Sequence, residues 1–346
     1  MNKLILLLSL TFSVTFGADL FDYLIPTFNG SINIRNGYDS NVLRLSQQEQ
    51  QETAVDPRSL GSMSTFDSHY WRIGGSINAN YRLSGRNQSL TFRWTPGYTN
   101  YTHSPEKKYS SSSFEVDYSW GSYRHLKFKI TRLNDYHLRT YINRDISSSL
   151  LANCNFSDAD HSLQVTLPAI RRSYFAILSG FLQRYYELPF TEFDLNIYYG
   201  GIRFSQSLNR WLRYSAELKS GQADNISFKN TARASQMDRS YRFIEFYIPV
   251  RMKNLIPYIN ETGISWRGEN RYYLFEDISD PLHSGRSHFD LKTDVWLKKD
   301  ISDNLAISWK LRYRFRNTRS DFDWVQELKS FTQIQTWFDL TWQPDF

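Results

Sequence analysis

Residues 331–346 read FTQIQTWFDLTWQPDF, and this closing stretch decides the fold. Apolar or β-branched residues fall at every second position, largely separated by polar ones: Thr332, Ile334, Thr336, Phe338, Leu340 and Trp342. Successive side chains of a β-strand point to opposite faces, so the pattern predicts a strand with one apolar face. The final strand of a soluble sheet can show the same alternation, and both classes stay open at this point.

The same segment resembles the signal by which bacterial outer-membrane β-barrels reach their insertion machinery. Apolar residues recur at Phe338, Leu340 and Trp342, and the chain ends on the aromatic Phe346. Pro344 departs from the family pattern, which has an apolar residue there, and proline is expected at the edge of a strand because it cannot donate to the ladder. The resemblance implies two partners: outer-membrane lipid, and the insertion machinery acting through the strand that ends in Phe346.

The beginning of the chain predicts export. Lys3 is followed by the largely apolar residues 4–16 and then by small residues, as in a secretory signal peptide. This stretch is too short for a membrane-spanning helix, which needs about 20 apolar residues. Cleavage after Gly17 divides the chain into a signal peptide, 1–17, and a β-barrel, 18–346.

The composition excludes helical membrane spans beyond the leader. No run of 18 apolar residues follows residue 18, and the mean hydropathy is −0.54. Aromatic residues make up 16% of the chain, as expected where rings form girdles at the two membrane interfaces. Cys154 is the only cysteine, so it has no internal disulfide partner, and we expect an unpaired loop thiol.

Alternating segments recur along the whole chain and predict an all-β protein, an antiparallel transmembrane β-barrel of about 14 strands, with 12 or 16 as alternatives. Short links alternate with longer connections such as 138–160, which could plug the barrel. Short periplasmic turns, longer external loops and an even strand number are typical of outer-membrane barrels and leave both termini periplasmic. The predicted strands cover 28–45, 68–83, 88–101, 109–120, 123–137, 161–168, 173–186, 191–206, 210–220, 239–250, 255–275, 287–298, 303–318 and 330–343.

The segment 305–316 shows which face meets lipid. Its apolar residues alternate with Lys310, Arg312, Arg314 and Arg316. A cation on the lipid side costs about 2–4 kcal/mol near the bilayer midplane, so the four cations are expected to face the lumen. A soluble barrel would place the apolar face inside instead. Tryptophan and tyrosine near many strand ends favour the membrane arrangement.

Residues 37–46 read GYDSNVLRLS. They resemble the first-strand motif of a loosely defined family of bacterial β-barrel porins, some encoded with exopolysaccharide-export systems. The resemblance implies an outer-membrane barrel without an assigned biochemical role. The apolar parity shifts between Ile34 and Leu43, which suggests a bulge near Asn41; a strand followed by a loop is the alternative.

The formal charge of +6 lies largely in the strands and predicts a basic lumen. Rings of cations in pores favour anions, so we expect passage of anions or acidic saccharides. The alternative is a lumen closed by its own ion pairs, with Arg312 and Arg314 pairing Asp290 and Asp294. The residues expected to line the solute path are Lys310, Arg312, Arg314, Arg316, Lys127, Lys129, Arg72 and Arg82.

Three functions follow from these patterns: a passive porin-like channel, a non-conducting accessory barrel of envelope polysaccharide export, and, remotely, a hydrolase at the barrel rim. The last rests on Asp67-Ser68-His69, Asp135-Tyr136-His137 and Asp321-Phe322-Asp323, where an aspartate could orient a histidine as general base. No catalytic residue, metal ligand set, cofactor motif or nucleic-acid module is otherwise expected.

Overall fold

A computed structural model describes residues 25–83, 87–142, 150–170, 172–227, 238–276 and 280–344. The predicted signal peptide, residues 1–17, and the terminal Phe346 lie outside these ranges. Across the described ranges, no helix has the length and apolar character needed to cross a membrane.

Fourteen antiparallel strands close into a barrel in which each strand pairs with its neighbours in sequence and β1 pairs with β14. The predicted fold and strand number are confirmed. The strands are β1 (Thr27–Asp39), β2 (Ser68–Leu83), β3 (Gln88–Tyr101), β4 (Tyr109–Trp120), β5 (His125–Ile142), β6 (Leu151–Pro168), β7 (Ser173–Tyr186), β8 (Leu195–Ser207), β9 (Leu212–Asn225), β10 (Tyr241–Lys253), β11 (Glu261–Tyr273), β12 (Ser287–Asp300), β13 (Leu305–Arg319) and β14 (Phe331–Trp342).

The two ends of the barrel differ. One end, called here the terminal end, carries the start of β1, the end of β14 and the short links between strands. The opposite end, the loop end, carries the longer connections. Two short helices lie there, α1 (Gln47–Thr53) and α2 (Asp323–Lys329), together with 3-10 turns at Pro57–Leu60, Pro105–Lys107 and Thr191–Phe193. The predicted alternation of short and long connections is confirmed.

The exterior of the barrel is apolar. Ile77, Ile202 and Phe338 lie near the middle of their strands and are 53%, 48% and 56% exposed, whereas the residues beside them on the inward face are polar, glycine or aromatic. A soluble protein buries such side chains, while a bilayer receives them in contact with acyl chains. Strand closure also pairs every edge, which lipid requires of a sheet. The exterior is therefore that of a membrane-spanning barrel.

The predicted external loop 138–160 is wrong, because β5 extends to Ile142 and β6 begins at Leu151. Two register shifts interrupt the pairing of these strands, between Leu133 and Tyr136 and between His137 and Arg139, and they break the period of two. Near the loop end the inward residues of β6 are also apolar. Cys154 is among them, so this free thiol is buried on a strand and not in a loop.

The predicted first strand, 28–45, is too long. It ends at Asp39, and residues 41–44 form a turn, so the bulge near Asn41 is wrong and the strand followed by a loop is correct. The strand predicted from residue 255 begins at Glu261, because residues 254–260 form the link from β10, with Asn254 and Tyr258 in left-handed conformation. Most apolar residues of this link occupy exposed positions, and their pattern in the sequence resembled that of a strand.

Candidate functional site

Lys310, Arg312, Arg314 and Arg316 of β13, called here the basic ladder, lie on the inward face of the barrel. They lie beside two aspartates of β12. The register places Arg312 directly across from Asp294 and Arg316 across from Asp290. Arg312 Nε donates to Asp294 Oδ1 at 2.7 Å, and Arg314 Nε donates to Asp290 Oδ1 at 2.8 Å. Arg316 Nε donates to the other oxygen of Asp290 at 2.8 Å, and Lys310 Nζ lies 3.5 Å from Asp294. The four predicted ladder cations thus share two carboxylates.

The other predicted lumen residues differ in their partners. Lys127 Nζ lies 3.0 Å from Glu115 and 3.6 Å from Asp117, so its charge is compensated. Arg72 donates to Ser111 Oγ at 3.3 Å, a neutral partner. Within the described ranges no carboxylate forms an ion pair with Lys129 or Arg82. The barrel therefore brings these residues to one lumen but does not gather them into one cluster.

The first loop, between β1 and β2, folds into the lumen as a fixed turn. The side chain of Asn41 is 1% exposed, accepts from Leu45 N at 2.8 Å and donates to Leu45 O and to Thr332 O of β14, both at 2.9 Å. Next to it, Val42 packs in a buried cluster with inward side chains of β2, β3 and β14. Because Asn41 joins the turn to the barrel wall, the turn cannot leave the lumen without losing buried hydrogen bonds.

The GYDSNVLRLS motif builds this turn. A Cβ on Gly37 would lie 2.7 Å from the side chains of Trp337 and Tyr70, so only glycine fits there. Asp39 accepts from Asn41 N at 3.0 Å and from the side-chain amides of Gln333 and Gln335 at 2.8 and 2.7 Å. The motif therefore ends a strand against β14 and turns the chain inward.

The turn presents Arg44 between two walls of the barrel. Arg44 adopts a left-handed conformation with φ of 56°, which an arginine accepts only where its surroundings fix it. Its Nη2 donates to the hydroxyl of Tyr136 on β5 at 3.3 Å. Arg44 also lies close enough to Lys292 and Arg314, on β12 and β13, to repel both. The side chain thus lies in the lumen, bonded to β5 and within electrostatic range of β12 and β13.

Three cations near this turn, Arg44, Arg267 and Lys292, form what we call the central cation group. Arg267 is exposed to the lumen and stacks on the ring of Tyr247 at 4.6 Å, and Lys292 is repelled by Arg267 as well as by Arg44. Among the described residues none of the three has a carboxylate within ion-pair distance. Sequence analysis missed Arg44 because it was placed in a strand, and missed Arg267 although its position opposite the outward Trp266 was readable.

A compact layer covers the loop end around the turn. Leu43, Leu45, Leu60 and Met63 form a buried apolar cluster within the first loop. Arg139 of β5 holds this layer in place: its guanidinium donates to Leu43 O at 3.1 Å, to Arg44 O at 2.8 Å and to Glu49 at 2.9 Å. Helix α1 begins with a capping box between Ser46 and Glu49. The first loop is therefore built as a structured part of the barrel.

Two lysines of the loop end, the buried Lys107 and the half-buried Lys329, lie close to arginines. Lys107 is 2% exposed, and its Nζ donates to the carbonyls of His137 and Leu138 at 2.5 and 3.1 Å. Burial, reinforced by Arg44 and Arg139, holds its pKa well below the usual range. Burial and nearby arginines also lower the pKa of Lys329, on α2, to about 7. Both lysines therefore lose their proton at a lower pH than an exposed lysine does.

Among the described residues, neither Asp67 nor Asp135 forms an ion pair with the histidine two positions after it, although His137 Nε2 lies 3.7 Å from Glu106 Oε2. Asp67 accepts from the hydroxyl of Tyr38 at 2.8 Å. His137 Nδ1 lies 2.9 Å from Asn155 Oδ1, and Asp135 accepts from the amide nitrogen of the same Asn155. Over the described residues, no group of three potential ligands is placed to hold a metal ion.

Solved structures to which this chain is similar include three bacterial outer-membrane proteins. The outer membrane channel DcaP of Acinetobacter baumannii is 8% identical, with 92% of this chain and 97% of that chain covered and a TM-score of 0.48. A bacterial polysaccharide outer membrane secretin is 8% identical over 91% and 98%, with a TM-score of 0.46, and an anion-selective porin from Comamonas acidovorans is 8% identical over 92% and 99%, with a TM-score of 0.42. No family model matches the chain, and no curated protein matches it.

Fold and site together define the class of this protein. It is a closed transmembrane β-barrel of fourteen antiparallel strands with an apolar exterior and a charged, extensively ion-paired lumen. The likeness to the solved barrels concerns their shape and does not identify a solute. Function has to be argued from the lumen itself.

Proposed function

We propose that this protein is a passive, porin-like channel whose lumen favours small anions or acidic saccharides. The observation that carries the proposal is the central cation group, because Arg44, Arg267 and Lys292 face the lumen without a carboxylate partner. A buried or half-buried cation that lacks a protein partner is stabilised by water or by a passing anion. The remaining basic lining, including Lys310, Arg312, Arg314, Arg316, Lys127, Lys129, Arg72 and Arg82, would extend the path.

These cations differ in whether a neighbouring carboxylate offsets their charge. Arg312 and Arg314 donate to Asp294 and Asp290, so an anion passing them meets neighbouring carboxylates as well. Among the described residues Lys292 has no carboxylate within ion-pair distance, so an anion that binds it does not compete with a contacting acidic side chain. We therefore expect the central cation group to set ion preference more strongly than the ladder does.

Ion selectivity tests this ranking. In planar lipid bilayers under a KCl gradient, the wild-type reversal potential is expected to indicate anion preference, and R267Q/K292Q should move it toward cations. R58Q is the matched control, because Arg58 pairs with Asp56 on the exposed part of the first loop. An unchanged reversal potential in R267Q/K292Q would show that the central cation group does not set ion selectivity. An unchanged reversal potential after glutamine substitution of Lys310, Arg312, Arg314 and Arg316 would show the same for the ladder.

A second function, that of a non-conducting accessory barrel in envelope polysaccharide export, is favoured by one observation. The first loop places a buried apolar cluster and a fixed turn inside the loop end, as a plug would. In that case the wild-type protein would produce no current steps in a bilayer. Steady ohmic steps would support the channel instead.

Releasing the turn separates an open path from a plugged one. Asn41→Ala removes three hydrogen bonds of a buried side chain and leaves Leu45 N and Thr332 O without this partner. If the turn narrows the lumen, single-channel conductance is expected to increase while the barrel stays folded. Asn78→Ala is the control, because Asn78 is a half-exposed lumen asparagine that is bonded to Asn29 and Arg93 and lies outside the turn. Equal conductance in Asn41→Ala and wild type would show that the turn does not limit flow.

The location of the protein is part of the same proposal. An apolar barrel exterior fits a bilayer, and the resemblance of the last strand to the insertion signal supports the bacterial outer membrane. The short links at the terminal end support a periplasmic position of both termini, with the loop end outside the cell. The barrel-insertion machinery and outer-membrane lipid would be its partners. Protease cleavage in the loop end of intact cells is expected, and protection of every loop would contradict this orientation.

A further inference from the structure

The lumen at the terminal end contains a second basic site, distinct from the ladder and from the central cation group. A cavity of about 310 Å³ lies between the ends of β8 to β11 and the neighbouring links. Small-molecule sites typically occupy about 300–1,000 Å³, so the space is sufficient for a small solute. Its charged lining consists of Arg172, Arg210, Arg213, Arg251, Lys253 and Glu261.

Two of these cations face each other directly. Arg213 of β9 and Arg251 of β10 are paired in the antiparallel register, and both point into the lumen. Like charges directly opposite each other on a sheet are destabilising. The only side-chain bond of Arg213 among the described residues is from Nε to Ser207 Oγ at 3.0 Å, and Ser207 is neutral. The sheet therefore places two guanidinium groups together without compensating their charge.

The single carboxylate of the cavity is already engaged. Glu261 lies opposite Lys253 on β10 and Lys298 on β12, and its Oε1 accepts from the indole Nε1 of Trp296 at 2.9 Å. Within the described ranges, no ion pair joins Glu261 or any other acid to Arg172, Arg210, Arg213, Arg251 or Lys253. This differs from the ladder, where Asp290 and Asp294 serve four cations. Of the five cations at this mouth, Lys253 lies opposite Glu261 in the register, and the four arginines have no carboxylate within ion-pair distance among the described residues.

We propose that this cavity, the terminal-mouth site, binds a small oxyanion that carries two or more negative charges. Guanidinium groups bind carboxylate and phosphate oxygens through paired, charge-assisted hydrogen bonds, and one multivalent anion would satisfy Arg213 and Arg251 together. The flanking Arg172 and Arg210 lie on two separate links, so the site surrounds a ligand from more than one side. The site requires the barrel fold but does not require the barrel to conduct.

Calorimetric titration of the purified full-length protein in a non-ionic detergent tests the proposal, with citrate as a trivalent probe and acetate as a monovalent one. Wild type is expected to bind citrate saturably and acetate at least about tenfold more weakly, because acetate engages only one guanidinium. The R213Q/R251Q variant is expected to lose at least about tenfold in citrate affinity. R124Q is the matched control, since Arg124 is exposed on the same rim and does not line the cavity.

Heat-dependent gel migration establishes that each variant is folded before titration. If R213Q/R251Q fails to fold, R210Q replaces it, because Arg210 lies on a link outside the strands and its loss is expected to weaken citrate binding without affecting the barrel. Absence of saturable citrate binding to wild type, equal affinity in the folded variant, or equal affinity for acetate and citrate would each overturn the site. A silent bilayer recording with intact citrate binding would reject the channel and leave the site standing.

Discussion

Replacing Asp290 with asparagine is expected to lower the free energy of unfolding by about 3–5 kcal/mol, the usual cost of removing one partner of a buried ion pair. Asp290 is 6% exposed and accepts from both Arg314 and Arg316, at 2.8 Å in each case. Asparagine preserves the shape of the side chain but leaves two guanidinium groups beside each other without an anion. Urea titration of the protein in phospholipid vesicles, followed by tryptophan fluorescence, measures the change.

The control for this prediction is Asp300→Asn. Asp300 pairs with Lys298 at 2.9 Å at the end of β12, but both side chains are nearly half exposed. Exposed pairs contribute about 0–1 kcal/mol, so this variant should be close to wild type. Adding R316Q to D290N removes one of the two cations that have lost their carboxylate partner, and it is expected to restore part of the lost stability. Equal stability of D290N and D300N would show that the ladder charges are solvated and not held by Asp290.

The ion pairs between the arginines of β13 and the aspartates of β12 could be predicted from the sequence, because they depend on only two adjacent strands. Alternation fixes which side chains of β12 and β13 point inward, and a short link fixes the register between the strands. Arg312, Arg314, Asp290 and Asp294 were accordingly placed together as the alternative to an open basic ladder. The same local logic gave the strand number and the outward position of the apolar residues.

The first-loop turn could not be found in the same way. Asn41 is bonded to Thr332, 291 positions away, and this contact exists only once β1 and β14 close the barrel. The approach of Arg44 to Lys292 depends on the same closure. A pattern of period two describes one strand and its neighbours, whereas a loop that returns into the lumen meets residues from several strands at once. The register shifts of β5 were not predicted for a related reason, because they interrupt the period of two on which the prediction depends.

The terminal-mouth site also depends on distant parts of the chain. Alternation predicted Arg213 as an inward residue, whereas Arg251 was predicted to lie just after the strand 239–250. Their direct opposition follows from the register of β9 and β10. Arg172 and Arg210 come from two further links. Charge that is dispersed in sequence becomes a site only where the barrel wall brings the link ends together.

Replacing Ile202 with arginine is expected to prevent stable insertion or to cost about 2–4 kcal/mol, the range for a cation on the lipid face at the bilayer midplane. Ile202 lies at the middle of β8, points outward and is 48% exposed. The residues directly opposite Ile202 on the adjacent strands are the outward Ile177 and Leu218, which offer no partner to a guanidinium, and the middle of the strand is far from both interfaces. Folding into phospholipid vesicles, measured as the heat-sensitive gel band and by urea titration, reports the effect.

Leu167→Arg is the matched control because it makes the same change on the same face at a different depth. Leu167 is 43% exposed and lies one residue from the end of β6, at the terminal end, where a cation costs only about 0–1 kcal/mol. The difference between the two variants therefore measures the depth of the surrounding apolar phase and not the loss of an aliphatic side chain. If both variants fold with wild-type stability, the exterior does not contact acyl chains, and the charged interior would then need an explanation other than a lumen within a membrane.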